Sequence, residues 1–164
     1  MRSKILPNKT SFIKEGYGPK FQDHLIEQYK IFVESSEQSS LKRMSSNKFY
    51  LAVTSVLGGI AGYLTYIDKI VLSFIFSAIG IFLCISWGRN ISSYKRLNSA
   101  KFRVVHELEE YLPAKPFTKE HEHLKGYYEI SDLEKYTPYL FIVLYSIILL
   151  FAVYQISVRV ISLF

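Results

Sequence analysis

Three stretches of this 164-residue chain carry no charged side chain. They are FYLAVTSVLGGIAGYLTYI from Phe49 to Ile67, IVLSFIFSAIGIFLCISWG from Ile70 to Gly88, and YLFIVLYSIILLFAVYQISV from Tyr139 to Val158. At about 1.5 Å rise per residue each reaches roughly 28 to 30 Å as a helix, close to the thickness of a bilayer's hydrocarbon layer. Three membrane-spanning helices are therefore predicted, and buried core helices of a soluble protein account poorly for three such runs in so short a chain. Only Asp68 and Lys69 separate the first two runs, so these must return as a tight antiparallel hairpin. The third run starts after Thr137-Pro138, a proline placement suited to a first helical turn, where the missing N–H has no partner to lose.

The polar segments have helical periodicity. After Pro19-Lys20, the residues Phe21, Leu25, Tyr29 and Phe32 share one face, with Glu27, Gln28 and Lys30 largely elsewhere. The serine-rich Ser35–Ser40 stretch contains neither proline nor glycine, so a long helix running toward the first span is preferred to a flexible link. Beyond the second span, Ile91, Tyr94, Asn98, Phe102, Val105, Leu108 and Leu112 recur every three or four residues. The second span is thus expected to continue as an amphipathic helix until Pro113, with Trp87 at the membrane interface and Asn98 hydrogen-bonded inside an apolar face. Thr118 is expected to cap a helix over Lys119–Lys125 that Gly126 ends, and Ser131 with Glu134 has the form of a capping box for a short helix leading to the third span.

The predicted class is all-α, a polytopic membrane protein with three transmembrane helices and cytosolic amphipathic extensions. Its parts are an N-terminal cytosolic tail (1–18), a cytosolic amphipathic helix (19–48), the transmembrane hairpin (49–88), a cytosolic helical region (89–136), and the third transmembrane helix with an outer C-terminal tail (137–164).

Charge gives this layout a direction. Residues 1–48 hold nine Lys or Arg and residues 89–136 hold nine more, against Lys69 alone at the hairpin tip and Arg159 alone in the tail. By the positive-inside rule both termini are assigned, the N-terminus to the cytosol and the C-terminus to the outside, with no signal peptide ahead of the first span. The formal net charge of +6 flanks apolar runs instead of forming one tract, which favours a lipid bilayer over nucleic acid as its partner. A lone cysteine, Cys84, leaves no intrachain disulfide and no cysteine zinc site.

Candidate chemistry is sparse. His121 and His123 lie two apart, which points them to different helix faces, so a solvated charged helix is favoured over a metal site. The Glu107, Glu109 and Glu110 cluster suits a solvated face better than a cation site. No phosphate loop or nucleophile elbow is present, and neither catalytic residues nor a cofactor is expected. Two features point to packing. Gly58, Gly59 and Gly62 offer a helix contact face in the first span. Tyr145, Ala152, Gln155, Arg159 and Ser162 form a stripe that would suit a pore-facing polar seam, although one interhelical bond from Gln155 and a snorkelling Arg159 explain it more simply.

From Trp87 to Phe117 the chain reads W-x3-I-x2-Y-x2-L-N-x2-K-F-x-V-x3-L-E-x2-L-P-x2-P-F. With three spans placed in this way, it resembles the RipA-like family of small octameric bacterial membrane proteins. Trp87, Tyr94, Leu97, Asn98, Lys101, Phe102, Glu109 and Pro113 match that pattern. The resemblance implies a homo-oligomer of the bacterial inner membrane, commonly of eight copies, without a catalytic motif. Trp87, Tyr94, Asn98, Phe102 and Val105 are accordingly expected at packing or oligomer contacts. The function expected is a non-enzymatic scaffold or regulator that recruits an unidentified cytosolic protein, with an oligomeric channel or membrane-disrupting effector as the alternative.

Overall fold

The computed structural model describes residues 17–123 and 130–162, apart from the side chains of His121 and residues 130–133. Expectations for the first 16 residues, for Gly126 as a helix stop and for the Ser131 side chain as a cap lie outside the described residues. In order along the described residues come the helices α1 (Phe21–Tyr66), α2 (Ile70–Glu109), α3 (Pro116–His123) and α4 (Ile130–Ile161). Among the described residues there is no strand, and α1, α2 and α4 are each long and apolar enough to cross a membrane.

Helix α1 runs without interruption through the serine-rich stretch, where Ser36 and Ser39 are buried and Ser36 donates its hydroxyl proton to the Phe32 carbonyl at 2.9 Å. Its end is a Schellman motif: the N–H of Asp68 reaches the Thr65 carbonyl and that of Lys69 reaches the Leu64 carbonyl. Asp68 occupies the left-handed position at φ 63°, a place usually filled by glycine. This backbone makes the sharp return expected between the first two spans.

Helix α2 stops at Glu109, before the predicted boundary at Pro113. The N–H groups of Glu110, Tyr111 and Leu112 bond to carbonyls three residues back, so the last turn tightens and the chain leaves the helix ahead of the proline. Two further expectations are corrected. Thr118 lies inside α3, which begins at Pro116. The third span and the short helix before it are one element, with Pro138 within α4. Proline lacks the N–H that would bond to the Glu134 carbonyl, but it is buried, so its packing compensates for one missing bond.

The chain divides into two compact units. Met1–Gln38 and Ser99–Lys125 form one, here called the extension unit; Ser39–Asn98 and Gly126–Phe164 form the other, the bundle unit. In the bundle unit the buried positions of α2 are Ile70, Ser73, Ser77, Gly80, Cys84, Trp87 and Ile91, alternating in steps of three and four. That spacing suits a seam between helices, and its mostly small residues permit close backbone approach. On α4 the buried Pro138, Tyr145 and Ala152 repeat every seven residues. Phe49, Val56, Phe82, Ile147 and Leu150 face outward on the same unit, an apolar exterior that water would disfavour and lipid accepts.

The extension unit has the opposite layout. Leu25 and Val105 are buried and Phe21, Tyr29, Phe32 and Phe102 half-buried, while Glu27, Gln28, Lys30 and Arg103 are exposed. The predicted apolar faces of both amphipathic segments are thus the ones turned inward.

Candidate functional site

Two tightly connected clusters, one in each unit, are the most developed polar sites among the described residues. In the extension unit, Glu109 is fully buried. Its Oε1 accepts from the Tyr29 hydroxyl at 3.1 Å and the Phe117 N–H at 2.9 Å. Its Oε2 accepts from the Thr118 N–H at 2.9 Å and the Thr118 hydroxyl at 2.6 Å. The amides of Phe117 and Thr118 belong to the open first turn of α3, which has donors without intrahelical partners. Lys115 precedes that turn and has no acceptor side chain, so Glu109 caps α3 from another helix.

Burial alone would raise the Glu109 pKa. The hydrogen bonds from the Thr118 hydroxyl, the two amides and Tyr29 outweigh it and hold the carboxyl below its ordinary value. Tyr29 is pushed up to about 12, first by burial and then by the hydrogen bond and negative charge of Glu109. Thr118 has one hydroxyl proton and gives it to Glu109, so the 3.0 Å contact with His106 requires the proton on His106 Nδ1. With four donors the carboxylate is saturated and functions as a latch. This corrects the assignment of Glu109 to a solvated face; Glu107 and Glu110 alone are exposed. Nearby, Phe117 packs its ring on Tyr29 and Phe102, and Lys101 Nζ donates to both the Ser35 carbonyl and hydroxyl at 2.8 Å.

In the bundle unit Tyr145 is the central side chain. It is 1% exposed and donates its hydroxyl proton to the Thr54 carbonyl at 2.5 Å. That carbonyl lies within a helix, and Thr54 donates its own hydroxyl to the Tyr50 carbonyl at 2.7 Å. The Tyr145 ring fits where glycines leave room. A Cβ on Gly58 would sit 3.4 Å from its hydroxyl oxygen, and one on Gly80 would collide with the ring. Gly59 and Gly62 leave open space instead, so the three predicted glycines do not form one contact within the protomer. Toward the hairpin turn, Ser73 donates to the Ala61 carbonyl at 2.9 Å and shares a 2.6 Å bond with Thr65. Ser77 Oγ is buried without a partner among the described residues.

At the other end of this unit, Trp87 is buried and donates its ring N–H to Asn47 Oδ1 at 3.0 Å. Asn47 in turn donates to Glu134 at 3.0 Å, and Arg43 stands 3.9 Å from the same carboxylate. Tyr50 stacks on Trp87 with rings 6.0 Å apart, and Phe141 makes a tilted ring contact with the Trp87 indole at 6.2 Å. The expected wet edge of Trp87 is therefore satisfied by a side chain, as a buried indole requires.

The residues of the proposed polar seam occupy different settings. Tyr145 is inside the bundle, Gln155 is half-buried, and exposed Arg159 pairs with Asp68. Asn98 is half-buried, and its Oδ1 is enclosed without the partner expected for it among the described residues. Ile91 and Val105 are buried and Tyr94 half-buried, as their shared stripe predicts. Sequence reasoning missed Asn47, Gly80 and Asp68. For Gly80 a signal existed: Ser73, Ser77, Gly80 and Cys84 repeat small residues at steps of three and four.

The profile of the octameric membrane protein family (8xMP) matches residues 26–154. The chain belongs to this family. Its three long apolar helices make this 8xMP member a multi-pass oligomeric membrane protein. The matched range contains both clusters, from Tyr29 to Tyr145. No curated protein and no solved structure matches the chain.

Proposed function

We propose that the chain is a non-enzymatic scaffold or regulator of a bacterial inner membrane, in which eight copies surround an axis along the membrane normal. The same basic segments flank the spans of every copy, so all insert in one direction, which favours cyclic symmetry. The orientation we propose has the N-terminus and extension units in the cytosol, where they form a helical collar, and the C-terminus outside. The observation that carries the reading is apolar exposure beyond the uncharged runs: Ile31 of the extension unit is 57% exposed, and Leu41 and Leu97, in the polar stretches of the bundle unit, 60% and 47%. Side chains of this kind on a water-facing segment call for cover, and neighbouring copies supply it in an oligomer. The collar surface would then recruit a cytosolic protein.

The test is substitution of Ile31 or Leu97 by Glu, read as oligomer size in detergent together with helix content. Smaller assemblies of normally folded chains are expected. Full-size assemblies for both variants would remove these residues from the subunit contact.

A channel or membrane-disrupting effector is the second reading, favoured by one feature. Asp68 and Arg159 line an open cavity of about 320 Å³ at the hairpin end of the bundle unit. Ion flux through reconstituted liposomes that disappears in Arg159→Gln would establish it over a scaffold alone.

A further inference from the structure

In the bundle unit, a groove of about 310 Å³ lies between α2 and α4 at the end where both apolar runs meet charged sequence. Its lining changes character along its length. Ile85 and Ile142 form an apolar floor within the runs, whereas Arg89 and Arg96 line the part beyond them. The two arginines are seven residues apart, about 10.5 Å along the helix, and thus share a face. Both are exposed, and neither makes an ion pair with a carboxylate among the described residues. Gly88 leaves the middle of the groove open, because a Cβ there would meet nothing within 4 Å. Pro138 and Tyr139 line the groove from α4.

We infer that this groove holds an anionic glycerophospholipid. Its phosphodiester lies against the Arg89 and Arg96 guanidinium groups, and the start of an acyl chain lies along Ile85 and Ile142. Guanidinium groups bind phosphate oxygens through paired N–H donors. A basic pocket opening between spanning helices at the headgroup level suits a lipid phosphate. The apolar floor selects a lipid over free phosphate, since inorganic phosphate has nothing to place there. Neither the scaffold nor the channel reading is required for this site.

The test uses the full-length oligomer reconstituted in nanodiscs of phosphatidylcholine and phosphatidylglycerol, then extracted gently and weighed by native mass spectrometry with its retained lipid. Wild type should retain phosphatidylglycerol over phosphatidylcholine, and Arg89→Gln/Arg96→Gln should lower that retention at least about tenfold, the effect of losing one or more charge-assisted hydrogen bonds. Lys48→Gln/Arg103→Gln removes the same charge elsewhere and should retain the lipid. Gly88→Leu fills the groove with no change in charge and should also expel it, which keeps the site testable if the double arginine variant fails to assemble. Equal loss in both charge-matched pairs, retention by Gly88→Leu, equal retention of the two lipids by wild type, or displacement of the lipid by inorganic phosphate would each overturn the assignment.

Discussion

The two units solve the problem of buried polar groups in opposite ways. In the extension unit a full negative charge, Glu109, is withdrawn from solvent and surrounded by four donors. In the bundle unit the interior polar groups are neutral: the hydroxyls of Thr54, Ser73, Ser77 and Tyr145, set among small residues under an apolar exterior. The difference follows from the surroundings. A unit with charged side chains on its outer face has apolar faces to turn inward, and one charged latch can fasten a short helix that has too few residues to be stable alone. A unit surrounded by lipid gains little from turning apolar groups inward, so close backbone approach and short hydrogen bonds hold it together.

The largest effect should come from filling the space beside Tyr145. Gly80→Leu forces the ring out of its seat and is expected to cost about 3 kcal/mol, seen as early thermal loss of helix in detergent. Gly59→Leu, where the protomer leaves open space, separates the two levels: unchanged helix stability with a smaller oligomer would place Gly59 between subunits, and no change in either would make it lipid-facing. Next, Glu109→Ala should cost about 2 kcal/mol, because the Phe117 and Thr118 amides and the Tyr29 hydroxyl lose their acceptor. Hydrogen exchange should then accelerate at α3 while amides of the bundle unit stay protected; uniform acceleration would contradict independent fastening of the two units.

Acid provides a milder version of the same break. The Glu109 pKa is lowered in the fold, so its contribution is complete above the unfolded carboxylate value of about 4.3 and disappears as the pH falls through the lower folded value. Exchange at Phe117 and Thr118, corrected for the intrinsic rate, should rise in that acid range and lose this pH dependence in Glu109→Gln. The smallest structural effect expected is from Tyr145→Phe, about 1 kcal/mol or less for one neutral hydrogen bond in a membrane setting, with the ring still seated.

Much of the architecture is legible in uncharged run length and periodicity. Phe49–Ile67 and Ile70–Gly88 announce a hairpin, and the stripe through Phe21 and Leu25 announces an inward face. What escapes this reasoning depends on contacts distant in sequence. Glu109 sits one place from Leu108, so helical spacing alone cannot say which turns inward; the answer comes from α3 amides that fold back onto it. Pro138 reads as a start because no local feature reveals how much packing it gains inside α4. Asp68 reads as a hydrophilic tip, whereas its left-handed backbone completes the α1 cap and its carboxylate meets Arg159, 91 positions away. The glycines illustrate the same limit. Gly58-Gly59 draws the eye, but Gly80 faces the large ring that makes a missing side chain necessary.

The most direct test of the proposed assembly is the mass of the native chain extracted from membranes, with bound detergent and lipid accounted for. Eight copies per particle, in a complex that Leu97→Glu reduces without loss of helix, is the result expected for a closed ring whose members cover one another's apolar faces. A stable monomer of the native chain would contradict the ring and, with it, the helical collar on which the scaffold depends.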